Sequence, residues 1–181
     1  LRQAALEALE PERRRALHQQ AARLIESRHP VAAEPLAGSL AGLGATPPLQ
    51  IDRASELRWH FEQAGDLVQA LAWTRDAADL ATKRREFVRA RELQREALAL
   101  VDRANVEGQA WSRTEHVVRY AEALAATGDR AQALVLLAPH CEDAAASPAG
   151  DTPHSHTLRV HARLLKDHGD LPRALAEAER A

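Results

Sequence analysis

The sequence predicts an all-α protein, built of antiparallel helix pairs stacked into a right-handed superhelix. Three observations carry that prediction. The dipeptide Gly-Asp recurs at Gly65-Asp66, Gly128-Asp129 and Gly169-Asp170, and Ala-Leu follows five residues after each glycine. Turn signals punctuate the chain at intervals of about 21 residues, room for one helix and one turn. Alanine fills roughly a fifth of the positions, a bias suited to helices packed closely through small side chains, while aromatic residues make up only 3% and Met is absent. No stretch reads as a strand.

Each element follows from local physics. Glycine tolerates the left-handed conformation that closes a helix, and the aspartate after it can cap the free N–H groups of the next one. Gln69 and Gln132, three residues beyond Asp66 and Asp129, resemble the second half of a capping box. Arg85-Glu86-Phe87 keeps the same frame without glycine, since Ala90 and then Ala97-Leu98 follow it. Over residues 67–83, Leu67, Ala70, Leu71, Thr74, Ala77 and Ala81 recur at helical spacing, with Trp73 and Leu80 on a second stripe. Residues 86–104 behave alike through Phe87, Ala90, Leu93, Ala97 and Val101. A helix apolar on two sides is what stacking between neighbours requires. Further helices are expected at 11–27, 52–63, 110–126, 130–145, 155–167 and 171–181.

Two stretches interrupt the pattern. Residues 28–50 contain Pro30, Pro35, Pro47 and Pro48 with Gly38, Gly42 and Gly44, and read as a connector. Residues 146–153 read as a Ser/Pro/Gly/Asp loop. The domain division expected is therefore 1–27 as junction helices from an upstream module, 28–50 as connector, and 51–181 as helical repeats. The turn at Gly65 is half a pair out of phase with those at Gly128 and Gly169, so the repeat is degenerate.

Charge and cysteine content narrow the function classes. The net charge is −2 and the nine histidines are scattered, leaving no basic footprint for direct nucleic acid binding. Arg13 to Arg15 and Lys83 to Arg85 are short runs beside acidic residues and read as solvated helix faces, as does the mixed-charge run from Arg84 to Glu96. Cys141 stands alone, so it can form neither an internal disulfide nor a multi-cysteine zinc site, and a reducing cytoplasm is the simplest setting. No apolar run approaches the roughly 20 residues of a membrane span. The chain starts at Leu1 and stops at Ala181 within a helical pattern, which suggests a piece of a longer protein.

Histidine is the one candidate for chemistry. His154 and His156 flank the 146–153 loop, His161 and His168 lie seven apart, and His140-Cys141 end the preceding helix. Together they could supply nitrogen and sulfur ligands to a metal, yet His-x-His-x-x-x-x-His is not a standard zinc spacing. Exposed helix-end histidines and a half-buried structural cysteine are the plainer readings. No nucleophile elbow, His-Glu-x-x-His helix or dinucleotide fingerprint is present. No catalytic, cofactor or metal residues are therefore assigned, and the expectation is a protein that is not an enzyme. Trp59, Phe61, Trp73, Phe87 and Tyr120 suit packing between helices. Trp111, after Gly108 and without a repeat counterpart, is the candidate partner-binding anchor.

The frame from Leu57 to Phe61, then Glu62-Gln63-Ala64-Gly65-Asp66, Ala70-Leu71 and Ala77, resembles the helix pair of tetratricopeptide-type proteins, with Ala90 and Ala97 continuing it. The pair period of about 42 residues exceeds the 34 of the standard repeat. More specifically, Glu12-Arg13-Arg14-Arg15-Ala16-Leu17-His18 with Ala21 to Glu26, followed by Trp59-His60-Phe61-Glu62-Gln63-Ala64-Gly65-Asp66, is similar to a segment of bacterial signal-transduction (STAND) ATPases of the LuxR-type and cyclase-associated kind. That resemblance implies a repeat arm that binds a protein, peptide or small inducer and controls an ATPase module elsewhere in the same chain, with transcription regulation or cyclase activity as output. The chain itself has no phosphate-binding Gly-x-x-x-x-Gly-Lys-Ser/Thr loop, and His140 replaces the small residue matching Ala77 and Ala97.

The function expected is thus a non-catalytic interaction or inducer-sensing arm, with no cofactor and no membrane or nucleic acid contact. The alternatives are a stand-alone tetratricopeptide scaffold, a metal-dependent enzyme using the 140–168 histidines, and oligomerisation through exposed apolar end faces.

Overall fold

The computed structural model describes residues 10–28, 48–106, 113–145 and 152–181. Among them the chain forms α1 (Pro11–Arg28), α2 (Pro48–Ala64), α3 (Leu67–Lys83), α4 (Phe87–Val106), α5 (Arg113–Ala126), α6 (Arg130–Ala145), α7 (Thr152–His168) and α8 (Leu171–Arg180), with no strand among the described residues. The chain divides into two compact units, Leu1–Leu80 and Ala81–Ala181. The fold is all-α.

The turns share one geometry. Gly65, Gly128 and Gly169 have φ of 82°, 94° and 98°. At each, the glycine N–H bonds back three residues and the following aspartate N–H bonds back five, as in Asp66 to the Phe61 carbonyl at 2.9 Å and Asp129 to the Leu124 carbonyl at 2.9 Å. That pattern satisfies the last carbonyls of the finishing helix. The Asp66 and Asp170 carboxylates then accept the N–H groups of Gln69 and Arg173, capping α3 and α8. Arg85 performs the same turn between α3 and α4 with φ 62°, and Glu86 N–H bonds the Ala81 carbonyl at 2.9 Å.

In the first unit α1 packs against α2. Ala22, Leu57, Ala70 and Leu71 are buried there, and buried Thr74 turns its hydroxyl to the Ala70 carbonyl at 2.7 Å, so the polar group costs little. In the second unit α4 packs on α5, α5 on α6, α6 on α7 and α7 on α8, and α5 also touches α7 directly. Its core runs through Leu98, Val117, Leu124, Leu137, Leu158 and Leu164.

Two helices begin earlier than periodicity alone suggests. The expected 52–63 helix starts at Pro48, which takes three residues from the connector, and the expected 155–167 helix starts at Thr152. Proline is tolerated in a first helical turn, where its missing N–H would have had no partner. Leu1 to Leu9, most of the connector and the 146–151 part of the expected loop lie outside the described residues.

Candidate interaction surfaces

In the first unit a cluster of rings joins α1 to α2. His18 Nδ1 lies 3.1 Å from His60 Nδ1, so one of the two imidazoles donates and the other accepts. Trp59 meets His18 edge-on with ring centroids 4.9 Å apart, and meets His60 at the same separation. Burial, helped by the nearby Arg14 charge, lowers the His18 pKa. Two bonds tie the surrounding helices together: Arg53 donates to the Ile25 carbonyl, and the Trp73 indole N–H donates to Glu26 at 3.1 Å. Trp59 nevertheless keeps 43% of its surface exposed, a held aromatic ring of the sort that anchors partners.

In the second unit the side-by-side helices α5 and α7 are backed by α6. Arg163 of α7 bonds Glu122 of α5 at 2.6 Å, on the exposed side of both helices. Arg119 and Glu115 pair along α5. Arg91 reaches from α4 to the turn before α6, binding Asp129 at 3.0 Å and the Thr127 hydroxyl at 3.3 Å. Asp129 thereby holds the turn to its neighbour.

The described histidines between 140 and 168 do not converge. His140 bonds the Thr114 hydroxyl at 3.2 Å, His156 and His168 are exposed, and His161 is buried with its Nδ1 3.9 Å from Glu177. The His154 side chain lies outside the described residues. Cys141 is buried, and its thiol is pushed up to about 12, first by burial and then by the Glu177 carboxylate. Such a thiol is not a nucleophile at neutral pH. Among the described residues, no three His, Cys, Asp or Glu side chains are grouped to hold a metal ion. No helix among them is long and apolar enough to cross a membrane.

Of the other singled-out residues, Phe61 is buried, Trp73 and Tyr120 are half-buried, and Phe87 is partly exposed. Trp111 lies outside the described residues. The His18–His60 contact was not anticipated from the sequence, because it joins positions 42 apart across the connector.

Two solved structures share this arrangement of helices. Both are crystal structures of the nearly identical TPR-like repeats of a kinesin light chain-like protein from Podosopora anserina, one carrying a single Gln-to-Met substitution. The first has a TM-score of 0.54 and 18% identity, covering 94% of each chain. The second has a TM-score of 0.54 and 19% identity, covering 95% of this chain and 94% of the other.

The fold is a tetratricopeptide-like helical repeat. At that identity the likeness is one of fold alone. No protein-family model matches the sequence, and no curated protein matches it.

Proposed function

We propose that this tetratricopeptide-like chain is a non-catalytic scaffold that binds a protein or peptide partner in the cytoplasm. The observation that carries the reading is the packing of α7, which lies beside α5 and, between His156 and Lys166, buries every residue except Arg159 and Arg163. A helix held so firmly presents its exposed side chains in fixed register, and an extended ridge of that kind suits a peptide or protein surface better than a small substrate.

The finer reading is that residues 51–181 are the repeat arm of a bacterial signal-transduction ATPase, with 1–27 as junction helices and 28–50 as connector. It rests on the likeness of Glu12 to Glu26 and Trp59 to Asp66 to such regulators. A stand-alone scaffold accounts for the fold equally well. A phosphate-binding loop in the full gene product, upstream of Leu1, supports the regulator; a full gene product without one supports the scaffold.

The scaffold reading is tested by replacing His156 on α7, or Val135 on α6 as control, with a photoreactive amino acid and irradiating cells that express the protein. The expected result is a discrete protein adduct at position 156 and none at 135. Equal labelling at both positions, or none at either, overturns the reading.

A further inference from the structure

Packing of α1 on α2 brings together two histidines that lie 42 positions apart in sequence, with His18 Nδ1 3.1 Å from His60 Nδ1. Two nitrogens bound to one metal ion at about 2.0–2.1 Å are separated by this same distance when they subtend about 100° at the ion. The pair already has the spacing of neighbouring ligands. Trp59 stands edge-on to both rings, each at a centroid separation of 4.9 Å, and the imidazoles are tilted 48° to one another with centroids 5.2 Å apart. His18 is buried, whereas His60 is half-buried and Trp59 borders solvent, so an ion reaches the two nitrogens from the His60 side.

We propose that His18 and His60 form a two-histidine site for a borderline divalent transition-metal ion, Cu2+ ahead of Zn2+. Imidazole nitrogen suits copper, nickel and zinc rather than the oxygen-seeking magnesium and calcium, and copper binds such donors most tightly of the divalent series. The ion takes both Nδ1 lone pairs, and water completes its coordination. Within the pair one ring donates its Nδ1 proton to the other. Binding needs that ring to carry the proton on Nε2 instead, so a tautomer changes and no net proton is released. Burial favours neutral His18, the form that ligates. Arg14 lies one turn before His18 and Glu56 one turn before His60, so the two helix faces contribute one charge of each sign. The bound ion clasps α1 to α2, and the site is independent of the partner-binding reading of the α5/α7 face.

Titration of the 181-residue chain with Cu2+ at pH 7, read by tryptophan fluorescence and by electron paramagnetic resonance, tests the site. Copper quenches an indole this close, so saturable quenching by one equivalent is expected, with a copper resonance split by two imidazole nitrogens. Trp59→Phe removes most of the quenching and leaves that resonance in place. His18→Gln and His60→Gln each weaken binding more than about tenfold, since a ligand matters at least as much as the outer partners whose loss costs about 10–100-fold. His168→Gln on α7 leaves binding unchanged. Circular dichroism checks the helix content of each variant; if His18→Gln, at the buried position, loses it, the half-buried His60→Gln decides. Lack of saturable quenching, quenching undiminished in Trp59→Phe, or copper held as tightly by His60→Gln as by the native chain overturns the proposal.

Discussion

Arg85 adopts the left-handed backbone conformation that Gly128 adopts two turns later, with φ of 62° against 94°. Both residues close a helix through the same pair of backward hydrogen bonds. Only one of them can do so without strain, because a Cβ in that region costs about 1–2 kcal/mol.

The two positions should therefore respond in opposite directions. Arg85→Gly removes the strain and gives back part of it as backbone entropy, a net stabilisation of about 0.5–1 kcal/mol. Gly128→Ala costs about 1 kcal/mol, and it does so through φ alone, since a Cβ there meets nothing within 4 Å. Urea unfolding midpoints at unchanged slope measure both.

Pro139 sits inside α6 with its ring exposed. It has no N–H to give the Val135 carbonyl one turn back, and it makes little core contact in return. Pro139→Ala is expected to stabilise the protein by about 1–3 kcal/mol, read as a higher unfolding midpoint.

These turns and helices were legible because their causes are local. Glycine followed by a capping aspartate can be recognised within a few residues, and the spacing of Leu67, Ala70 and Leu71 needs only the helical period. The start of α2 at Pro48 was less so, because adjacent prolines read as a break until tertiary packing of α1 on α2 draws the helix outward. The exposed side of α7 was harder still. Arg159 and Arg163 are visible in the sequence, but their significance depends on everything else between His156 and Lys166 being buried. The His18–His60 contact joins positions 42 apart, far beyond the reach of any local period.

Cys141 should be inert in the folded protein. With its thiol near 12, about one part in ten thousand is thiolate at pH 8. Alkylation by iodoacetamide at that pH is expected to be more than about 100-fold slower than in denaturant, where the ordinary thiol pKa returns. Labelling at equal rates would contradict its burial.

Acid should destabilise the fold through two histidines. Burial lowers the pKa of both His18 and His161; Arg14 adds to the effect at His18, while at His161 Glu177 opposes it and Arg173 adds to it. The unfolded state, with its ordinary value of 6.5, then binds protons more readily. The stability from both neutral imidazoles is present above pH 6.5 and is lost as pH falls through the folded values. Unfolding midpoints measured from pH 7 to 5 should fall, and the fall should be shallower in His18→Gln and His161→Gln.

The most direct test of the central claim, that an ordered repeat presents the α5/α7 face to a protein partner, is hydrogen–deuterium exchange of the whole chain with and without the protein captured at position 156. The account predicts slowed exchange in peptides from α5 and α7, with α6 unchanged. Protection confined to other helices, or no change on adding that protein, would contradict it.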